Sequence, residues 1–110
     1  MEEEQESMIK VSVLYPNGQG NRFDMSYYLR SHIPMIQKLL GAALKGVAVE
    51  QGLAGGTPGA PAPYLAIGHL LFDSVPAFQA AFGPHGETIQ KDVANYTNTQ
   101  PVIQISEVRL

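Results

Sequence analysis

Residues 64–72, YLAIGHLLF, constrain this chain more than any other stretch. Apolar side chains occupy both parities of the alternation, so both faces of the strand they predict must be buried, and His69 alone interrupts the pattern. Such a strand belongs inside a sheet with a layer on either side. The rest of the chain has to supply those layers.

Residues 8–15, MIKVSVLY, predict a strand with Ile9, Val11, Val13 and Tyr15 on one face and Lys10, Ser12 and Leu14 on the other, ended by turn chemistry at Pro16-Asn17-Gly18-Gln19-Gly20. A weaker strand is expected over 44–51, through Val47 and Val49, and the last strand over 102–109, through Ile103 and Ile105. Asp24 is positioned to cap a helix over 25–40, and Gly41 to end it. Its apolar face joins the stripe Tyr28, His32, Met35, Leu39 to the stripe Leu29, Ile33, Ile36, Leu40. Pro34 lies inside this helix, has no N–H for the Arg30 carbonyl, and disfavours helical angles at Ile33, so a kink or two short helices meeting at Ile33-Pro34 is expected. Ser74 or Asp73 caps a second helix to Phe82, with Pro76 in its first turn, and a short helix over 85–93 turns Ile89 and Val93 inward. The segment 52–63, GLAGGTPGAPAP, reads as a long irregular loop of the kind that forms lids, rims or disordered segments.

The order β-α-β-β-α-β predicts an α+β fold: a ferredoxin-like split arrangement over 8–110, with a four-stranded antiparallel sheet and both helices on one face. The segment MEEEQES at 1–7 reads as a disordered acidic tail. Without that tail's four glutamates, seven Lys and Arg face six Asp and Glu, and no basic stripe offers itself to nucleic acid. The chain has no cysteine, which excludes disulfides, thiolate catalysis and iron–sulfur clusters and permits a cytoplasmic location. No apolar run reaches the roughly 18 residues of a membrane span. Charged residues are 15% of the chain, below the usual ~25%, and the third strand leaves an apolar face beyond the helices. A homodimer formed through that sheet face is the simplest closure, leaving room for a small apolar molecule near the kinked helix.

The strings MIKVSVLYPN (8–17), FDMSYYLRSHIP (23–34), PGAPAPYLAIGHLLF (58–72), FGPHGETIQKDVANYTN (82–98) and QISEV (104–108) resemble the EthD (ethyl tert-butyl ether degradation) family of the dimeric α+β barrel superfamily. The resemblance covers nearly everything after residue 7. It implies a homodimer with sheets packed face to face. Superfamily relatives include cofactor-free monooxygenases, cyclases and isomerases, so it fixes no single reaction.

The chain's three histidines are His32, His69 and His85. His32 borders the helical apolar face, as a packed residue or as an acid–base group; a helix restarting at Pro34 would leave the N–H groups of Met35 and Ile36 free beside it to meet an oxygen. His69 needs a polar partner, found across a dimer or in a cavity. His85 follows a helix end, in a turn role or at a pocket mouth. Their spacing gives no metal site, and no cofactor is expected. We take His32, Tyr28 and His69 as catalytic candidates and His85, Tyr15, Tyr64, Tyr96, Met35 and Ile36 as ligand-binding candidates; Asp92 has the one carboxylate position near a pocket but reads rather as a solvent-facing helix residue. The function expected is binding of, or cofactor-free acid–base or monooxygenase-type chemistry on, a small hydrophobic compound. The alternative is a non-catalytic homodimeric module that delivers such a ligand to a partner oxidoreductase.

Overall fold

A computed structural model describes residues 8–110; the acidic segment 1–7 lies outside the described residues. Strands β1 (Ile9–Pro16), β2 (Gly46–Gln51), β3 (Tyr64–Phe72) and β4 (Val102–Glu107) form one antiparallel sheet in the order β2-β3-β1-β4. The doubly apolar β3 is central, as its composition requires. Register pairs Val11 with Leu70 and Val13 with Gly68 across β1 and β3. The β1–β4 pairing sets Val13 against Ile103.

Ile9, Val11, Tyr15, Ala66, Leu70 and Phe72 are buried on the helix-covered face. Ile36 and Leu40 of helix α2 (Ile33–Leu40) and Ile89 of α4 (Gly86–Asp92) pack onto them, with partly buried Phe78 of α3 (Val75–Phe82). Ser74 caps α3 by accepting from the Ala77 N–H at 3.1 Å. Among the described residues no helix is long and apolar enough to cross a membrane.

The first helix departs from expectation. Helix α1 (Met25–Tyr27), capped by Asp24, runs into a π-helical turn, Tyr28–His32, and then directly into α2. Ile33 keeps helical angles, φ −64° and ψ −45°, and its N–H donates to the Tyr28 carbonyl five residues back. The chain therefore does not break before Pro34, and no new helix start frees the Met35 and Ile36 amides beside His32. The wider turn absorbs the proline's missing donor. It also sets Tyr28, not Leu29, one turn before Ile33: Tyr28 is 2% exposed and Leu29 49%. Gly41 ends α2 at φ 57°, an angle that other residues rarely adopt.

The 52–63 loop is anchored, since Asn17 donates its backbone N–H to the Pro63 carbonyl at 3.0 Å and its side-chain amide to the Ala62 carbonyl at 2.9 Å. It does not line the cavity described below.

Gly68 has a steric reason. A Cβ there would collide with the Tyr28 hydroxyl, while the next ring atom would stand at 3.5 Å, an ordinary contact. Gly68→Ala should destabilise the protein by about 1–3 kcal/mol. In the Tyr28→Phe background the same substitution should cost less than about 1 kcal/mol. Urea unfolding of the four proteins measures both; equal costs in the two backgrounds would show that this contact is not the cause.

Candidate functional site

Three segments distant in sequence build the site. The π turn directs Tyr28 and His32 toward the sheet, their rings stacked at 5.4 Å and 18°. Tyr96 arrives from the turn after α4. The Asp24 N–H donates to the Tyr96 carbonyl at 2.7 Å, Phe23 and Thr97 form a β-bridge, and the Thr97 hydroxyl donates to the Arg22 carbonyl at 2.7 Å. These bonds fasten the 96–98 turn to the start of the first helix. Tyr15 completes the cluster from β1.

The side chains form a continuous polar relay. The Tyr15 and Tyr96 hydroxyls are 2.7 Å apart, and Tyr96 Oη is 3.3 Å from His32 Nε2. His32 Nδ1 is 2.8 Å from Asp92 Oδ2. Asp92 Oδ1 accepts from the Tyr27 hydroxyl at 2.7 Å and from Asn95 Nδ2 at 2.9 Å. A carboxylate only accepts, so His32 Nδ1 carries the hydrogen and Nε2 presents a lone pair.

Burial lowers the His32 pKa and outweighs the hydrogen bond and charge of Asp92, which raise it, so the ring is neutral near pH 7. Burial alone would raise the Asp92 carboxyl, but hydrogen bonds from His32, Tyr27 and Asn95 prevail and hold it below the ordinary aspartate value. Burial pushes Tyr15, Tyr28 and Tyr96 above the ordinary phenol value, so all three remain neutral donors.

A cavity of about 80 Å³ lies between these rings, the sheet and helices α3 and α4. Tyr15, Tyr28, His32 and Tyr96 form its polar end; Val11, Leu70, Phe78, Phe82, Ile89 and Ile103 are among its apolar walls. The Tyr28 hydroxyl lies beside Tyr15, and its residue lines the cavity. The arrangement joins a neutral imidazole lone pair, a phenol donor and an apolar chamber.

Of the expected residues, His32, Tyr28, Tyr15, Tyr96 and Ile36 line this cavity. His69 does not. It faces away from the helices, 2.9 Å from Ser12 Oγ through Nδ1 and 3.3 Å from Glu50 Oε1 through Nε2. Strand alternation places it there, because its neighbours Gly68 and Leu70 point to the helices. His32 and His69 are therefore not one catalytic set. Met35 packs on the core, and His85 and Tyr64 are half-buried away from the cavity. Asp92, expected to face solvent, is turned inward to His32 with its side chain 16% exposed. Tyr27, one of the chain's five tyrosine donors, and Asn95, in a turn, are not among the expected site residues; no local spacing marks them as partners of Asp92. Among the described residues no three His, Cys, Asp or Glu side chains gather into a group that could hold a metal ion.

Fold and site together define a ferredoxin-like α+β domain with a histidine–carboxylate pair beside an apolar cavity. The EthD domain profile matches residues 18–100, and the chain belongs to the EthD domain family. An EthD-like protein from Ralstonia eutropha JMP134 is 46% identical over 96% of each chain, with a TM-score of 0.90. An EthD family protein from Bacillus halodurans C-125 is 20% identical over 93% of this chain and 99% of its own, with a TM-score of 0.71. A dimeric ferredoxin-like protein of unknown function from Thermobifida fusca YX is 18% identical over 94% of this chain and 93% of its own, with a TM-score of 0.58. No curated protein matches the sequence.

The lowered His32 pKa makes stability depend on acidity. The unfolded histidine binds its proton near pH 6.5, and the folded one only at lower pH. Its contribution is thus full above about pH 6.5 and is lost as pH falls through that value toward the folded pKa. Asp92 adds a second loss at lower pH, as its own depressed pKa is approached. The urea midpoint of the wild type should fall between pH 7.5 and 5.5, and it should fall less in His32→Asn. Parallel changes in the two proteins would show that His32 is not held neutral.

Proposed function

We propose that this EthD domain binds a small, largely apolar molecule carrying one oxygen function, and that His32 acts on it as a general base without a cofactor. The observation that carries this reading is the Asp92–His32 pair, whose imidazole lines the apolar cavity together with neutral tyrosines. Nε2 takes a proton from an acidic C–H next to a carbonyl. The electron pair of that bond moves onto the carbonyl oxygen, where Tyr28 donates a hydrogen bond to the developing negative charge. Asp92 stays ionised and steadies the imidazolium that forms. Returning the proton to the same or a neighbouring atom completes an exchange or an isomerisation.

Uptake of solvent deuterium into butanone and cyclopentanone, followed by NMR, tests this chemistry. His32→Ala should slow it by about 10²–10⁴-fold. Tyr28→Phe should slow it by roughly 10-fold or more, through the lost donor. Uptake that is unchanged in His32→Ala would exclude the catalytic role.

One observation favours a second reading, that of a non-catalytic carrier. Tyr96 already engages Nε2 at 3.3 Å. If ketones shift the Gly68 and Val93 amide resonances without exchanging deuterium, the carrier reading replaces the enzymatic one.

The domain acts as a homodimer in this proposal, paired through the sheet face away from the helices. Leu14, Leu65, Ile67 and Leu71 are only partly buried there, and Val102 is 51% exposed. A surface of that kind is completed by association, and the Thermobifida fusca protein is dimeric. Sedimentation equilibrium should give a dimer that Ile67→Lys converts to a folded monomer. A monomeric wild type at micromolar concentration would refute the pairing.

A further inference from the structure

Asp92 lies at the end of α4 with its side chain 16% exposed. A carboxylate so close to water gains hydration by swinging outward, yet this one points inward. The bond to His32 uses only Oδ2, at 2.8 Å. Oδ1 is engaged separately, by the Tyr27 hydroxyl at 2.7 Å and Asn95 Nδ2 at 2.9 Å, and those two groups stand 3.4 Å from one another. The three residues come from α1, α4 and the turn after it. Tyr27 is itself fixed: its N–H donates to Asp24 Oδ1 at 3.0 Å, and its ring stacks on Tyr96 at 6.3 Å and 19°. Tyr27 and Asn95 do not line the cavity, so neither contacts a ligand held there.

We propose that Tyr27 and Asn95 are positioning residues, which hold the Asp92 carboxylate on His32 Nδ1 and thereby fix Nε2 as the nitrogen that faces the cavity. The role as stated serves the acid–base reading above, but the geometry exists without it. An imidazole has two nitrogens that differ only in which bears hydrogen; a carboxylate fixed at one of them decides the tautomer. If the clamp opens, the carboxylate turns to water, His32 loses its acceptor, and the Nε2–H tautomer becomes populated. The other titratable groups facing His32 are Tyr28, stacked at 5.4 Å, and Tyr96, tilted at 4.5 Å, and neither bonds to Nδ1. They cannot substitute for Asp92.

The test is NMR titration of the intact protein with ¹⁵N-labelled histidine, which reads both the His32 pKa and its tautomer. Tyr27→Phe keeps the ring and removes the hydroxyl. It should lower the His32 pKa by about 0.5–1 unit, the scale of one lost hydrogen bond, and raise the Nε2–H population. Asp92→Ala should shift both readouts further in the same direction, and adding Tyr27→Phe to it should change nothing more. Asn95→Ala provides the same test from the other donor, should Tyr27→Phe fail to fold. A His32 pKa that rises or stays fixed in Tyr27→Phe would overturn the proposal: the hydroxyl would then only compete for the carboxylate's charge. So would a Tyr27→Phe effect that persists in the Asp92→Ala background, which would trace it to packing against Tyr96. If these shifts occur while His32→Ala leaves deuterium uptake unchanged, the positioning role stands and the catalytic reading falls.

Discussion

A proline cannot donate a backbone hydrogen bond, and the site in this protein is arranged around that fact. The helix absorbs Pro34 with a π turn over Tyr28–His32 instead of breaking. The turn holds one residue more than an α turn, so it rotates everything before it relative to everything after. Ile33, Ile36 and Leu40 remain on the sheet, as their spacing requires. Tyr28 and His32 are carried onto the same face, and Leu29 is turned out. An uninterrupted α-helix would leave a leucine where the phenol now stands. Gly68 on β3 complements this choice by leaving space for the Tyr28 hydroxyl.

A buried imidazole is costly to charge, and a partly buried carboxylate is costly to leave unpaired. The relay answers both costs. Asp92 receives three hydrogen bonds and remains ionised, while His32 remains neutral with its Nδ1–H engaged. The surrounding tyrosines hold their protons because burial disfavours phenolate. The cavity is thus lined by a neutral imidazole and by neutral phenols. His69 has a different situation on the far side of the sheet, where Ser12 and Glu50 satisfy both nitrogens.

Much of the architecture was legible in the sequence because it depends on periodicity. The two apolar faces of 64–72, the alternation of Ile9 to Tyr15, the Asp24 and Ser74 caps and the stop at Gly41 are local signals, and each appears in the fold where the pattern puts it. The site was legible only in part. His32, Tyr28, Tyr15 and Tyr96 line the cavity and stand out in the sequence as aromatic or polar side chains; Ile36 lines it too, although its sequence signal was a backbone N–H that the unbroken helix does not free. For Asp92 the sequence admits a place near a pocket but favours solvent, because a carboxylate at a helix end is usually hydrated and its sequence neighbours do not reveal a histidine that is 60 residues away.

The sequence by itself determined the order of elements, the ferredoxin-like topology and the inward face of each strand, since these follow from alternation, helical spacing and turn chemistry acting over a few residues. It also determined that Pro34 must perturb the first helix, but not how, because a kink, a break and a π turn all satisfy the local chemistry. Packing chose among them: the π turn is the solution that seats Tyr28 against Gly68 while keeping Ile33 and Ile36 in the core. Only the tertiary structure brought Asp92, Tyr27 and Asn95 onto His32 and sent His69 to the opposite face. Those relations join residues far apart in the chain, and their energies exist only once the segments that carry them have met.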